Sequence, residues 1–381
     1  MPAIDLAMPL VLLLVVTVAL TIYKPASKKL DASVENQAFQ TKDKLMVVGA
    51  ITIGFATLAL TSFHTPENLS GNIVLSLFLG SYTLLLFNIT YLFSDIKKRG
   101  AQLFSIGFGI ASLIFGIGSL SEPLLDSVTV FRAGAFLGLT GLCFAIAFYE
   151  HRQTDEKKVK WYLAIQPPAL FLLIFIFFNV LHFEGTLNIW FPALLDVFGA
   201  TFAVLLILYL SSLFSWKAVG IFAALLTLID IILVFSGPMI AAADMFTGLG
   251  IPALIYLPKI PPIPADPMAS IIILGFATGG LGLGDFFFAG ILAIQTFKRF
   301  GTKYAYASIL SMVLSFGIWY AFLPEIGAFF DLRGFPATVC IITGWIPIVV
   351  IALLMHKNPT KPPLQEQPTP TSVSPQQITP S

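Results

Sequence analysis

Charge is the scarcest thing in this chain. Only 11% of its 381 residues are Asp, Glu, Lys or Arg, against about 25% in soluble globular domains. That excludes an ordinary water-soluble domain. Cysteine is nearly missing too. Cys143 and Cys340 both lie in apolar runs, which fits packing rather than a disulfide framework or a thiolate metal site. His64, His151, His182 and His356 fall at the ends of apolar runs or in loops, so no pair is set to hold a haem inside a membrane. No cofactor and no metal site is expected. The net charge is +1 and no basic cluster lies outside the loops, which speaks against nucleic acid. No run alternates with period two, which excludes a membrane β-barrel. No internal repeat is visible, which weighs against a transporter built from inverted repeats. The first apolar segment lacks the basic start of a signal peptide and is expected to be a retained membrane helix.

What fills the chain is apolar. Hydrophobic residues make up 57% of it, in runs of about 18–25 residues. The expected fold is all-α, a polytopic helical membrane protein with about 11 transmembrane helices. The spans are placed at about 6–23, 45–63, 72–94, 101–121, 129–149, 161–181 and 188–214. Four more follow at 217–236, 268–297, 303–323 and 334–355. Pro167, Pro168 and Pro192 are expected to break or shorten helices in the region 161–214. With the N-terminus outside, 18 of the 21 Lys and Arg residues fall in inside loops, the bias of cytoplasmic segments. The N-terminus is therefore expected outside and the C-terminus in the cytoplasm. A prokaryotic plasma membrane fits a compact chain of this kind.

Three regions follow from the pattern. Residues 1–216 read as an N-terminal transmembrane bundle of about seven helices. Residues 217–355 read as a core of about four helices with a Pro-rich outside loop at 237–267, either a lid or a stiff connector. Residues 356–381, rich in Pro, Gln, Thr and Ser, read as a disordered cytoplasmic tail. Asn68-Leu69-Ser70 matches a glycosylation acceptor in an outside loop, a pattern common by chance.

The stretch 268–297 organises the rest. It carries one charge, Asp285, behind Gly279, Gly280, Gly282 and Gly284. A bare carboxylate inside a membrane costs about 2.5–3.5 kcal/mol on insertion scales. Glycines beside it let another backbone approach. One span earlier, Asp230 is the only acid of its run. Asp230 lies 13 residues after Lys217, and Asp285 lies 13 residues before Lys298. On antiparallel helices each carboxylate then stands about 20 Å from its inner lysine, near the bilayer midplane. Two carboxylates in contact cannot both ionise, so they share a proton and divide the work of an acid and a base. That is aspartyl-protease chemistry. The bland alternative is that each Asp bonds a nearby backbone group, Ser or Thr. A rival from another class also uses acids. Asp196 lies inside its span, and Asp196, Asp230 and Asp285 together would make the path of a proton- or cation-coupled transporter. Asp5, Glu122, Asp126, Arg132 and Asp244 stand near span ends and read as interfacial.

These residues resemble a family, the GxGD-type intramembrane aspartyl proteases, presenilin and signal peptide peptidase. Leu281-Gly282-Leu283-Gly284-Asp285-Phe286 is similar to presenilin's second aspartate motif. Ile229-Asp230 stands where the family has Tyr-Asp. Phe335-Pro336-Ala337-Thr338 occupies the place of its Pro-Ala-Leu. Ile251-Pro252-Ala253-Leu254-Ile255-Tyr256 is similar to a segment between presenilin's catalytic spans. The resemblance covers about 217–355. It departs at Ile229, at Thr338 and in the span count, which is nine in the family. Phe287 stands where prepilin peptidases, which also carry GxGD, have Lys.

The resemblance implies a presenilin-like catalytic core with Asp230 and Asp285 as the catalytic pair. Gly282, Leu283, Gly284, Pro336, Ala337 and Thr338 would bind the substrate, a transmembrane peptide in the lipid bilayer. The orientation is that of signal peptide peptidase, so substrates with their N-terminus inside are expected, such as signal-peptide remnants. An inactive relative acting as a membrane chaperone is a third class, against which the intact Asp230 and Asp285 argue. Gly279–Gly284 is expected to hold an extended substrate by its main chain. Pro336 either exposes backbone beside the site or simply starts a helix.

Overall fold

The computed structural model describes residues 5–35, 67–94, 98–120, 127–149, 156–177, 192–236, 253–262, 272–273, 276–323 and 336–355. Ten helices and three short strands lie among them. In order they are α1 (Ala7–Glu35), α2 (Glu67–Phe93), α3 (Lys98–Leu120), α4 (Ser127–Tyr149), α5 (Glu156–Phe175) and α6 (Pro192–Leu213). There follow α7 (Trp216–Ser236), β1 (Leu254–Pro258), β2 (Ile272–Ile273), β3 (Phe276–Gly282), α8 (Leu283–Phe300), α9 (Thr302–Ala321) and α10 (Ala337–Met355). Helices dominate because a backbone in hydrocarbon must satisfy its own hydrogen bonds. Seven are long and apolar enough to cross a membrane, the pattern of a multi-pass membrane protein.

Several expectations need adjusting. Of the about eleven spans expected, seven are found among the described residues; the described apolar parts of α2 and α5 are shorter, and α8 is not among the seven. The expected span 45–63, most of the loop 237–267 and the tail 356–381 lie outside the described residues. Pro167 and Pro168 do not break α5, which runs through both. Pro192 is the first residue of α6, where its missing N–H costs nothing. The largest correction concerns 268–297, which is not one helical span. Its glycine-rich part is strand β3, and the helix begins only at Leu283. Each glycine costs a helix about 1 kcal/mol relative to alanine. Three of them stand in β3, where pairing with another strand supplies the hydrogen bonds instead. The fold is thus mostly helical with one small sheet.

The helices pack in two connected groups. In the first, α3 buries the small residues Ala101, Ser105, Gly109, Ser112, Gly116 and Ser119; Gly109 and Gly116 lie against α4, and Ser112 donates to the Phe136 carbonyl at 2.8 Å. Small residues let membrane helices approach closely. α5 packs on α2, α3 and α4. Tyr82 of α2 then joins this group to α6. Its ring stacks between Phe171 and Phe202, with centroids 4.1 and 4.7 Å away, and its hydroxyl donates to the Phe198 carbonyl.

The second group surrounds α8. Every residue from Phe286 to Thr296 is buried, as expected of a helix apolar on all sides. α1, α6, α7, α9 and α10 all contact it. Gln295 of α8 donates to the carbonyls of Ser211 and Phe214 at 3.0 and 2.7 Å, and Lys298 reaches Ser211 at 3.3 Å. These carbonyls end α6 and have no partner within that helix. α9 and α10 meet at Gly344, where an added Cβ would run into the Ser311 carbonyl and lie 2.7 Å from the Met312 Cα.

Candidate active site

Strand β3 leads directly into the acid of α8. β1 pairs antiparallel with β3, Leu254 opposite Gly282 and Pro258 opposite Thr278, and β2 pairs with the start of β3. The Leu283 amide continues the ladder to the Ala253 carbonyl at 3.0 Å. In an antiparallel pair, residues alternate between hydrogen-bonded and non-bonded positions. With 253 and 283 bonded, 254/282, 256/280 and 258/278 are the non-bonded pairs. Side chains stand closest at such pairs, and the Tyr256 ring covers Gly280, where a Cβ would lie 2.8 Å from Cε1. Only glycine leaves room for the ring there.

The same alternation points the Gly282 N–H away from β1. The Asp285 carboxylate accepts it. Gly282 is the extended N-cap of α8, and Asp285 is its third helical residue. An acid at that position reaching back to the cap amide is one half of a capping box. The motif Gly282-Leu283-Gly284-Asp285 is therefore a helix start. The cap glycine supplies a donor, Leu283 is buried, Gly284 is exposed and Asp285 is half-buried.

Asp230 meets a second helix start. Pro336 stands just before α10, is buried, and its carbonyl accepts the Val339 amide at 3.1 Å. Asp230 Oδ2 accepts both the Thr338 hydroxyl at 2.6 Å and the Thr338 amide at 3.2 Å. That amide is one of the first-turn donors left open in any helix. A carboxylate there also lies at the positive end of the helix dipole. Asp230 is 7% exposed and Thr338 3%, while Ala337 is half-buried.

α7 and α8 run antiparallel, with their basic ends together. Trp216 packs on Phe300 at 5.3 Å, and Phe222 on Phe287 at 6.0 Å. Farther along, Asp285 lies within electrostatic reach of Asp230. The Cys340 thiol, one turn into α10, lies within reach of both. Two carboxylates thus converge, each at the N-terminus of a helix.

Neither protein-family profiles nor curated protein sequences match this chain.

Other residues acquire contacts that sequence does not announce. Thr338, placed by the resemblance on the substrate, bonds Asp230 itself. Cys340, read as packing, lies beside the acid pair. Asp196 is buried, and its Oδ1 accepts the Tyr256 amide of β1 at 2.7 Å. Asp5, read as interfacial, is 6% exposed and accepts the amides of Ala7 and Ile260. The signal for Asp5 was its place two residues before the first helical residue, where Asp commonly serves as a cap. The glycines expected to hold an extended substrate are partly engaged, because Gly279 and Leu281 face β1 through the ladder. Gly280 and Gly282 direct their amides to the other side, the side of Asp285. Among the described residues no group of three His, Cys, Asp or Glu side chains is set to hold a metal.

Proposed function

We propose that this chain is an intramembrane aspartyl endopeptidase that hydrolyses peptide bonds within transmembrane segments, with Asp230 and Asp285 as its catalytic pair. The observation that carries the reading is the convergence of these two acids from antiparallel helices, each held by a helix N-terminus. One carboxylate, ionised, takes a proton from water as the water oxygen attacks the peptide carbonyl carbon. The other, protonated, donates a hydrogen bond to the carbonyl oxygen. When the intermediate collapses, the C–N bond breaks and the leaving nitrogen takes a proton from the pair.

The helix starts support this division of labour. They fix the carboxylates before a substrate arrives, so that little orientation remains to be imposed. A substrate helix hides its own peptide bonds and must open first. Gly280, with its amide directed to the side of Asp285, offers a main-chain partner for an opened segment. The orientation expected from the charge bias of the loops is, by resemblance, that of signal peptide peptidase, which supports substrates whose N-terminus is inside, such as signal-peptide remnants.

The test is cleavage of a labelled transmembrane peptide by purified protein in detergent, beside Asp230→Asn and Asp285→Asn. Cleavage by the parent and by neither variant is expected. Cleavage that survives both substitutions would refute the pair.

A further inference from the structure

The outer edge of β1 faces two carboxylates that the proposed chemistry does not use. Residues 254, 256 and 258 hold its outward amide positions, by the alternation set at Ala253 and Leu283, and Ile260 lies two residues past its end. The Tyr256 amide donates to Asp196 at 2.7 Å. Pro258 has no amide hydrogen. The Ile260 amide donates to Asp5 at 3.0 Å, and the Ile260 carbonyl accepts the Leu6 amide at 2.9 Å. Both acids are buried, at 9% and 6% exposure. An edge strand ordinarily offers its open amides to any passing strand. Here Asp196 fills the Tyr256 position, Pro258 has no amide to offer, and Asp5 takes the Ile260 amide just past the strand.

We propose that Asp196 and Asp5 are positioning residues that clamp β1 and, through its ladder to β3, hold Gly282 and hence Asp285 in place. The inference rests on the protease reading for its consequence, though not for the clamp itself. The path is continuous. Asp196 grips Tyr256; Tyr256 lies opposite Gly280; Gly282 lies two residues on and donates to Asp285. Asp196 stands near the start of α6, and the other end of α6 is bonded to α8 by Gln295 and Lys298. α6 is thus anchored to α8 at one end and to the strand before α8 at the other.

An acceptor is what the clamp requires, not a charge. Asparagine at 196 keeps the Oδ1 acceptor and loses the ionisable group; alanine loses both. The experiment uses the full chain in detergent and two readouts, hydrogen exchange of the segment 254–260 and the kinetics of transmembrane-peptide cleavage. Asp196→Ala is expected to speed exchange of the Tyr256 amide about tenfold or more and to lower kcat about tenfold, with KM within about threefold. Asp196→Asn is expected to stay within about threefold of the parent in both readouts. Asp5→Ala and Asp5→Asn are expected to repeat this contrast at Ile260.

Unchanged exchange in Asp196→Ala would overturn the clamp. A folded Asp196→Asn variant as impaired in cleavage as Asp196→Ala would overturn the positioning role, since a required charge is the mark of a proton path. If the parent cleaves nothing while exchange behaves as expected, the protease reading and the positioning of Asp285 fall, and the clamp stands.

Discussion

The Thr338 hydroxyl gives the sharpest test of how Asp230 is held. Thr338→Val removes one O–H and keeps the shape and the branched side chain. The 2.6 Å bond to Asp230 Oδ2 is lost; the amide at 3.2 Å remains. A hydrogen bond to a charged group contributes about 1.5–3 kcal/mol. The surviving amide keeps part of the carboxylate's orientation, so the lower half of that range applies, about 1.5–2 kcal/mol. At about 1.4 kcal/mol per decade this is a fall of roughly 10- to 30-fold in kcat. Substrate binding should change little, because the Thr338 hydroxyl is committed to Asp230. Thr338→Ser keeps the hydroxyl and should stay within about threefold of the parent. The assay is initial-rate cleavage of a labelled transmembrane peptide over a range of concentrations. If Thr338→Val cleaves as fast as the parent, the bond does not matter to the reaction. If it changes KM alone, Thr338 is a substrate contact, as the family resemblance has it.

Three further outcomes are expected. Asp230→Asn and Asp285→Asn should each lower cleavage by about 10²–10⁴-fold, with thermal unfolding in detergent close to that of the parent, because Asn still accepts a hydrogen bond. Gly344→Ala should cost about 1–3 kcal/mol by overpacking against the α9 backbone, whereas Gly220→Ala, with no atom within 4 Å of the new Cβ, should be neutral or slightly stabilising; melting of the two variants decides. Gln295→Met should lower the melting temperature by leaving the Phe214 carbonyl buried and unbonded, a loss of about 1–3 kcal/mol, and no change in melting would count against the bolt between α6 and α8.

Asp230 and Asp285 stand out in the sequence because a charge inside an apolar run is rare and its cost demands a reason. Their equal distance from Lys217 and Lys298 gives the antiparallel alignment that Trp216 and Phe300 display. Strand β3 is hidden for a definite cause. A hydropathy window counts how apolar a segment is, not how it repeats, and Phe276–Gly282 lies inside a longer apolar run. The glycines carried the correct signal through their cost to a helix. The pairing of Tyr256 with Gly280 is a long-range register, which no local pattern encodes. Thr338 is found by its position in the chain, but its partner 108 residues away is not. Asp196 shows that an acid inside a span can serve the backbone of a distant strand, and composition does not distinguish that from a proton path.

Because both acids also accept an amide at a helix start, their loss carries a structural penalty whatever the chemistry. Asp285 closes the first turn of α8, and Asp230 closes that of α10. Losing such a cap to alanine costs about 0.5–2 kcal/mol. A lineage that no longer needed the reaction would therefore not drift freely at these two positions. Asparagine would keep an acceptor at both helix starts, and alanine or leucine would not. Descendants that retain the fold without the chemistry should be recognisable by that narrow choice of replacements, and their helix starts should outlast their activity.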